Sequence, residues 1–236
     1  MAICLLLRHG HSTANAAGIL SGRAAGVTLT DRGRAEADAV GDALAELPVV
    51  GIHSSPLQRC LETAAAVSAR HSPPLPVTEA PGLLEVGYGA WTNRPLKELA
   101  AEPLWASVQR EPASVVFPDS EEHEAEGIAA MAARVLGTVR AIDADVEAAH
   151  GANAVWLAVS HGDPIKAVLA DAAGASLGEF QRFVVEPAGV VAIRYTPERT
   201  FVLGHNLDPS RLAALVGSTG HSADGAATPG GSTGAG

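Results

Sequence analysis

Three short strand-forming runs, Ile3–Leu7, Val49–His53 and Ala154–Val159, each end in a polar cluster that opens a helix. Runs this brief and apolar are read as strands buried on both faces, the condition of strands in a mostly parallel sheet. Ala-rich segments of helical length lie between them, and that alternation predicts a layered α/β domain. The polar clusters are Arg8-His9-Gly10, Ser54-Ser55-Pro56 and Ser160-His161-Gly162-Asp163-Pro164. In an open parallel sheet, ligands bind beyond the carboxyl ends of strands, where helix N-termini also point. The clusters are therefore the first place to look for chemistry.

Local signals refine the element order. Thr30 is a predicted N-cap for a helix that Pro48 stops. Pro56 is placed at the first position of the next helix, with Ser55 and Gln58 as a capping box. Asp163 is read as an N-cap ahead of Pro164. Val184-Val185, Val190–Tyr195 and Thr200–Leu203 are expected to be later strands. The rhythm breaks between Ala90 and Ile128, where four prolines and an acidic run at Glu121–Glu126 occur. This stretch, about 90–128, is expected to be a lid-like insertion of loops and helices, with a solvated helix start at Glu121–Glu124 and a helix near Ile128–Ala149. From Gly217 onward the composition turns to Gly, Ser and Ala, which predicts a single domain over 1–216 and a flexible tail over 217–236.

Composition excludes several classes. Of 236 residues, 47% are hydrophobic and only 18% charged, which rules out a disordered chain. A net charge of −10 argues against a general nucleic-acid or anionic-membrane binder. Only Lys97 and Lys166 are lysines, so most positive charge is guanidinium. Two cysteines cannot build a disulfide scaffold, and neither begins a Cys-x5-Arg phosphate loop. Asp143-x-Asp145 falls inside a helical stretch, not after a strand, and no GxxxxGK occurs. The apolar run Ala2–Leu7 is too short for a signal peptide or a membrane span, so a cytoplasmic chain is expected.

The strand ends bring Arg8, His9, Arg59 and His161 towards one region. Two guanidiniums and several helix N-termini suit a phosphoryl group, whose oxygens accept forked hydrogen bonds. An imidazole is then the available nucleophile.

At this level the chain resembles the histidine phosphatase superfamily, the phosphoglycerate mutase-like proteins. Arg8-His9-Gly10 matches its diagnostic Arg-His-Gly, extended here as RHGHSTAN so that Asn15 falls on the family's asparagine. SGRAAGVTLTDRGRAEA matches the following loop and helix, which sets Ser21 and Gly22 near the phosphate. SSPLQRCLETA carries the second arginine, Arg59; LLEVGYGAWTN carries the acid, Glu85; VSHGD supplies the second histidine, His161. The five blocks lie in family order over roughly residues 1–200. Departures also exist. His11 stands where Glu or Asp is more usual, Phe117–Glu121 only loosely matches Pro-x-Gly-Glu-Ser, and the adjacent arginine pair of mutases is missing. Arg94, Lys97 and Arg110 remain candidate substrate contacts, and Tyr88 decides nothing.

The resemblance implies a three-layer α/β/α sandwich and hydrolysis of a phosphate monoester through a phosphohistidine on His9. Arg8, Arg59, Asn15 and His161 would stabilise the phosphoryl oxygens, and Glu85 would donate and later remove a proton. It implies no metal and no cofactor, a small phosphorylated metabolite as substrate, and a possible homodimer. A neutral His9 beside a protonated His161 would give a slightly acidic to neutral optimum. A phosphoglycerate mutase-like phosphomutase and a non-catalytic phosphate or phosphopeptide binder are the alternatives.

Overall fold

Every side chain from Ile3 to Leu7 is buried, and period-two alternation sends them to opposite faces of one strand. Ile3, Leu5 and Leu7 join one apolar cluster, while Cys4 and Leu6 join another. A strand covered on both faces requires a layer above and a layer below. The computed structural model, which describes residues 2–208 and Leu212, has that architecture.

In chain order the elements are β1 (Ile3–Arg8), α1 (Thr13–Ala17), β2 (Ile19–Leu20), α2 (Asp31–Leu44), β3 (Val49–Ser54), α3 (Gln58–Ser68) and β4 (Val77–Glu79). There follow β5 (Arg94–Pro95), α4 (Leu96–Leu99), α5 (Pro103–Arg110), α6 (Ile128–His150), β6 (Val155–Ser160), α7 (Gly162–Ala172), β7 (Val190–Tyr195) and β8 (Thr200–Leu207). The central sheet has six strands in the order β4-β3-β6-β1-β7-β8. β4, β3, β6 and β1 run parallel, and β7 is antiparallel to both of its neighbours. α2 and α3 contribute Val40, Leu44, Cys60 and Val67 to one apolar cluster, and α6 and α7 contribute Val135, Val139, Ile165 and Val168 to the other. This is an α/β fold with a mostly parallel central sheet. Among the described residues, no helix is long and apolar enough to cross a membrane.

Thr30 caps α2 as expected, accepting a hydrogen bond from the Gly33 amide. Other local expectations are corrected. The Ser55–Gln58 capping box does not form, and α3 begins two residues after Pro56, with Leu57 extended before it. The Ser55 hydroxyl lies 2.7 Å from the His161 ring and only 3.4 Å from the Leu57 amide, so a tertiary partner has taken the cap. Asp163 is inside α7; His161 occupies the N-cap position, and the Asp163 carboxylate accepts from Tyr88 and Lys166 instead. Val184-Val185 form no strand, and Val184 is well exposed. Glu121–Glu124 form no helix. The expected tail over 217–236, and with it the domain boundary at 216, lies outside the described residues.

Two glycines fix how closely the segment after β1 approaches α2. A Cβ on Gly10 would sit 2.4 Å from the Gly33 carbonyl oxygen, and one on Gly33 would sit 2.0 Å from the His11 carbonyl oxygen. Both contacts are with backbone, which cannot swing aside as a side chain can. Gly10→Ala is expected to cost about 1–3 kcal/mol, the usual range for forcing atoms into a filled site. Urea unfolding checks it, and an unchanged midpoint would contradict the close approach.

Candidate active site

The sheet register places the reactive residues side by side. Arg8 pairs with Ser160, and Ser54 lies opposite Val159, so β1, β6 and β3 end at one level. Chain continuity then delivers His9, His161 and Ser55 at adjacent strand ends. The His9 amide donates to the Ser160 carbonyl at 3.0 Å and the Ser55 amide to the Val159 carbonyl at 2.9 Å. Above these ends lies a cleft of about 470 Å³ whose wall includes Arg8, His9, Asn15, Arg59 and Glu85, together with Ser21 and Gly22.

His9 is almost wholly buried, and its Nδ1 lies 2.8 Å from the Gly10 carbonyl oxygen. A carbonyl can only accept, so Nδ1 carries the proton and Nε2 keeps its lone pair. Burial, followed by the Arg59 and Arg8 charges, pushes the pKa of His9 well below the usual histidine value. The ring is thus a neutral base with a fixed tautomer.

Arg59 is also buried, with 1% of its surface exposed. Its Nη2 donates to the Gly22 carbonyl at 2.8 Å and faces His161 Nδ1 at 3.1 Å. Arg8 donates from Nη1 to the Val185 carbonyl at 2.7 Å. The remaining buried donors, Arg8 Nε and Arg59 Nε and Nη1, have no acceptor on the protein. An unpaired buried donor costs about 1–3 kcal/mol, and more when charged, so this corner is complementary to an oxyanion. Gly22 lies at a φ of 49°, the left-handed region that favours glycine, and this turn aims its carbonyl at Arg59. Asn15 belongs to a capping box with Ser12, its Oδ1 accepting from Ser12, which leaves its amide NH₂ as the remaining donor.

His161 is not on the cleft wall. It is fully buried behind Arg59, with its ring edge-on to that of His9 at 5.3 Å between centroids. Arg59 can only donate, so His161 Nδ1 accepts and Nε2–H points at Ser55 Oγ. Burial, then Arg59, drives its pKa well down. The expected protonated His161 is therefore corrected to a neutral ring, because burial disfavours its charged form and the neighbouring cations add to that.

Glu85 is buried, and its Oε1 accepts from the Val86 amide at 2.9 Å. Burial, with the Asp163 carboxylate adding to it, raises its pKa to about 7. Its main-chain carbonyl is held by Arg23 Nε at 2.8 Å and Arg134 Nη2 at 3.4 Å. Glu126 ties those two guanidiniums together at 2.7 and 2.8 Å. Glu126, at the end of the acidic run, is thus a brace for the segment that carries Glu85.

Sequence reasoning missed several residues of the cleft. The Tyr88 hydroxyl donates to Asp163 at 2.8 Å, and Lys166 joins Asp163 to Gln181 at 3.2 and 3.1 Å. All four line the cleft. The spacing of Asp163 and Lys166 on one helix was legible, but nothing in the sequence brought Tyr88 or Gln181 to them. Arg94, Lys97 and Arg110, proposed as substrate contacts, do not line it, and Arg94 pairs with Glu102.

Comparisons with known proteins agree with this fold. The model of the histidine phosphatase superfamily (branch 1) matches residues 4–208. An uncharacterised protein of Mycobacterium tuberculosis is 48% identical over 99 residues, 37% of this chain and 48% of that one, so the match spans about half the length of that relative. A 2,3-bisphosphoglycerate-dependent phosphoglycerate mutase of Thermoplasma acidophilum is 26% identical over 169 residues, 72% of this chain and 75% of that one. Among solved structures, the α-ribazole phosphatase of Shigella flexneri is 26% identical with a TM-score of 0.72 over 87% of this chain and 96% of that one. A phosphoserine phosphatase of Entamoeba histolytica, 22% identical, shares the fold with a TM-score of 0.74 over 88% of this chain and 98% of that one. With ordered motifs, sheet topology and a family match over nearly all of its described length, the chain belongs to the histidine phosphatase superfamily, branch 1.

Proposed function

We propose that the protein hydrolyses phosphate monoesters through a phosphohistidine on His9. The observation that carries this reading is the fixed tautomer of His9 beside three unpaired guanidinium N–H groups. Nε2 attacks phosphorus in line, the N–P bond forms, and the ester P–O bond breaks. Glu85, protonated up to about pH 7, gives its proton to the departing alkoxide. The resulting carboxylate then takes a proton from water, whose oxygen attacks phosphorus. The N–P bond breaks, phosphate leaves, and neutral His9 is restored. Arg8 and Arg59 bind the phosphoryl oxygens, with Asn15, Ser21 and Gly22 around them and His161 orienting Arg59 from behind. Residues 90–128 supply Trp91, Trp105 and Phe117 to the cleft, which supports reading them as the insertion that covers the substrate.

A phosphomutase would run the same first half and return the phosphoryl group to a second hydroxyl. Quenching in alkaline detergent during turnover of a ³²P-labelled ester, followed by digestion at alkaline pH, is expected to find acid-labile, base-stable label on His9. Label elsewhere, or none, would end the assignment. The positive field comes from guanidiniums, so turnover is expected to persist unchanged in excess EDTA. Loss in chelator with rescue by magnesium would contradict a metal-independent mechanism.

A further inference from the structure

The chain is poor in aromatic residues, with three Trp, two Tyr and four Phe, yet five of these nine line the one cleft that holds His9. Four form a continuous chain of rings. Tyr88 meets Phe117 edge-on at 4.9 Å, Phe117 meets Trp91 at 5.5 Å, and Trp91 stacks on Trp105 at 6.1 Å. The chain starts at the Tyr88 hydroxyl, bonded to Asp163 beside the phosphoryl corner, and ends on α5. Phe183 is the fifth, and Leu96, 39% exposed, and Val184, 58% exposed, add apolar surface to the same wall.

Charge in the cleft is distributed just as unevenly. Beyond Arg8 and Arg59, the lining offers one cation, Lys166, and it is held by Asp163 and Gln181. Glu186 and Asp163 outnumber it. A leaving group bearing its own carboxylate or second phosphate would meet acids and lose hydration without a cation to replace it. Tyr88, Trp91 and Phe117 are buried beneath the wall, so a flat apolar group would meet Trp105 and Phe183, the two partly exposed rings, backed by that buried aromatic layer.

We infer that the leaving alcohol of the natural substrate carries an aromatic or heteroaromatic ring and no second anionic group. This inference rests on the hydrolase reading above and names the substrate class of the same site.

The experiment compares esters whose leaving alcohols are all aliphatic, so that leaving-group acidity does not mimic ring recognition. kcat/KM is measured for 2-phenylethyl phosphate, n-propyl phosphate and 3-phosphoglycerate. The phenylethyl ester is expected to exceed the propyl ester by about 10-fold, the scale of one well-placed ring contact. It is expected to exceed 3-phosphoglycerate by about 100-fold, since that substrate lacks the ring and brings a carboxylate. In Trp105→Ala the phenylethyl-to-propyl ratio is expected to fall to about 1–3. That ratio is independent of the fraction of folded enzyme, so a partly unfolded variant still reports. Trp105→Leu, which keeps bulk but not the ring, is expected to lower the ratio as well. Hydrolysis of all three esters at similar efficiency, or faster turnover of 3-phosphoglycerate, would overturn the inference and leave the phosphohistidine chemistry standing. No hydrolysis of any ester would remove both.

Discussion

His9→Ala is expected to lower kcat for p-nitrophenyl phosphate by about 10⁴-fold or more, the scale seen when a covalent nucleophile is deleted. Its Nε2 is the only protein atom in the mechanism that bonds to phosphorus, and no thiol nearby can take over. Burial raises the pKa of Cys60 to about 12, so it is protonated at neutral pH, and it packs in the core behind the site. Binding is expected to behave differently. The unpaired donors of Arg8 and Arg59 remain in the variant, so inorganic phosphate is expected to bind within about 10-fold of the parent, as measured by calorimetry. Loss of turnover with retained phosphate binding separates the nucleophile from the anion cradle. Turnover near the parent level would remove His9 from the chemistry.

Glu85→Gln is expected to reduce kcat for an alkyl phosphate by about 10²–10⁴-fold and for p-nitrophenyl phosphate by much less, because nitrophenolate leaves without a proton. With the parent enzyme, the phosphorylation rate for an alkyl ester is expected to fall as pH rises through about 7, where Glu85 gives up its proton. That descending limb is expected to vanish in the variant. The substitution should move stability the opposite way from activity. Burial raises the Glu85 pKa from 4.5 to about 7, so between those values the folded chain holds a proton that the unfolded chain has released. Folding stability from this group therefore falls as pH rises from about 4.5 to 7 and stays low above. Glutamine escapes that cost and can still accept from the Val86 amide, so Glu85→Gln is expected to be more stable than the parent by about 2–3 kcal/mol at pH 8, with little difference at pH 4. Urea unfolding at both pH values checks it. A pH-independent effect would mean that Glu85 is not held protonated by the fold.

Part of this site was readable residue by residue. Arg8 closes, and His9 follows, a strand whose other side chains are all apolar, so their place at a sheet end needed only periodicity and the rule for open α/β sheets. Arg59 sits one residue into α3, and its distance from Pro56 placed it there in the sequence. The errors share a cause. Ser55 looked like a helix cap because a hydroxyl near a helix start normally finds the nearest amide. In the folded chain a buried imidazole 106 residues away offers a better partner. Asp163 was misread for the same reason, its carboxylate being taken by a tyrosine 75 residues distant. Glu126 was given no role because its partner Arg23 lies 103 residues away.

What the sequence determined alone is what short-range geometry governs: that the three apolar runs ending in polar clusters are strands buried on both faces, that a helix follows each cluster, and which reactive groups stand at strand ends. Only the tertiary structure decided that His161 stands behind Arg59 as a neutral ring, that Glu85 is buried beside Asp163, and that five aromatic side chains gather on one cleft. Protonation and specificity depend on desolvation and on charges brought together from distant segments. Those quantities do not exist until the chain has closed on itself.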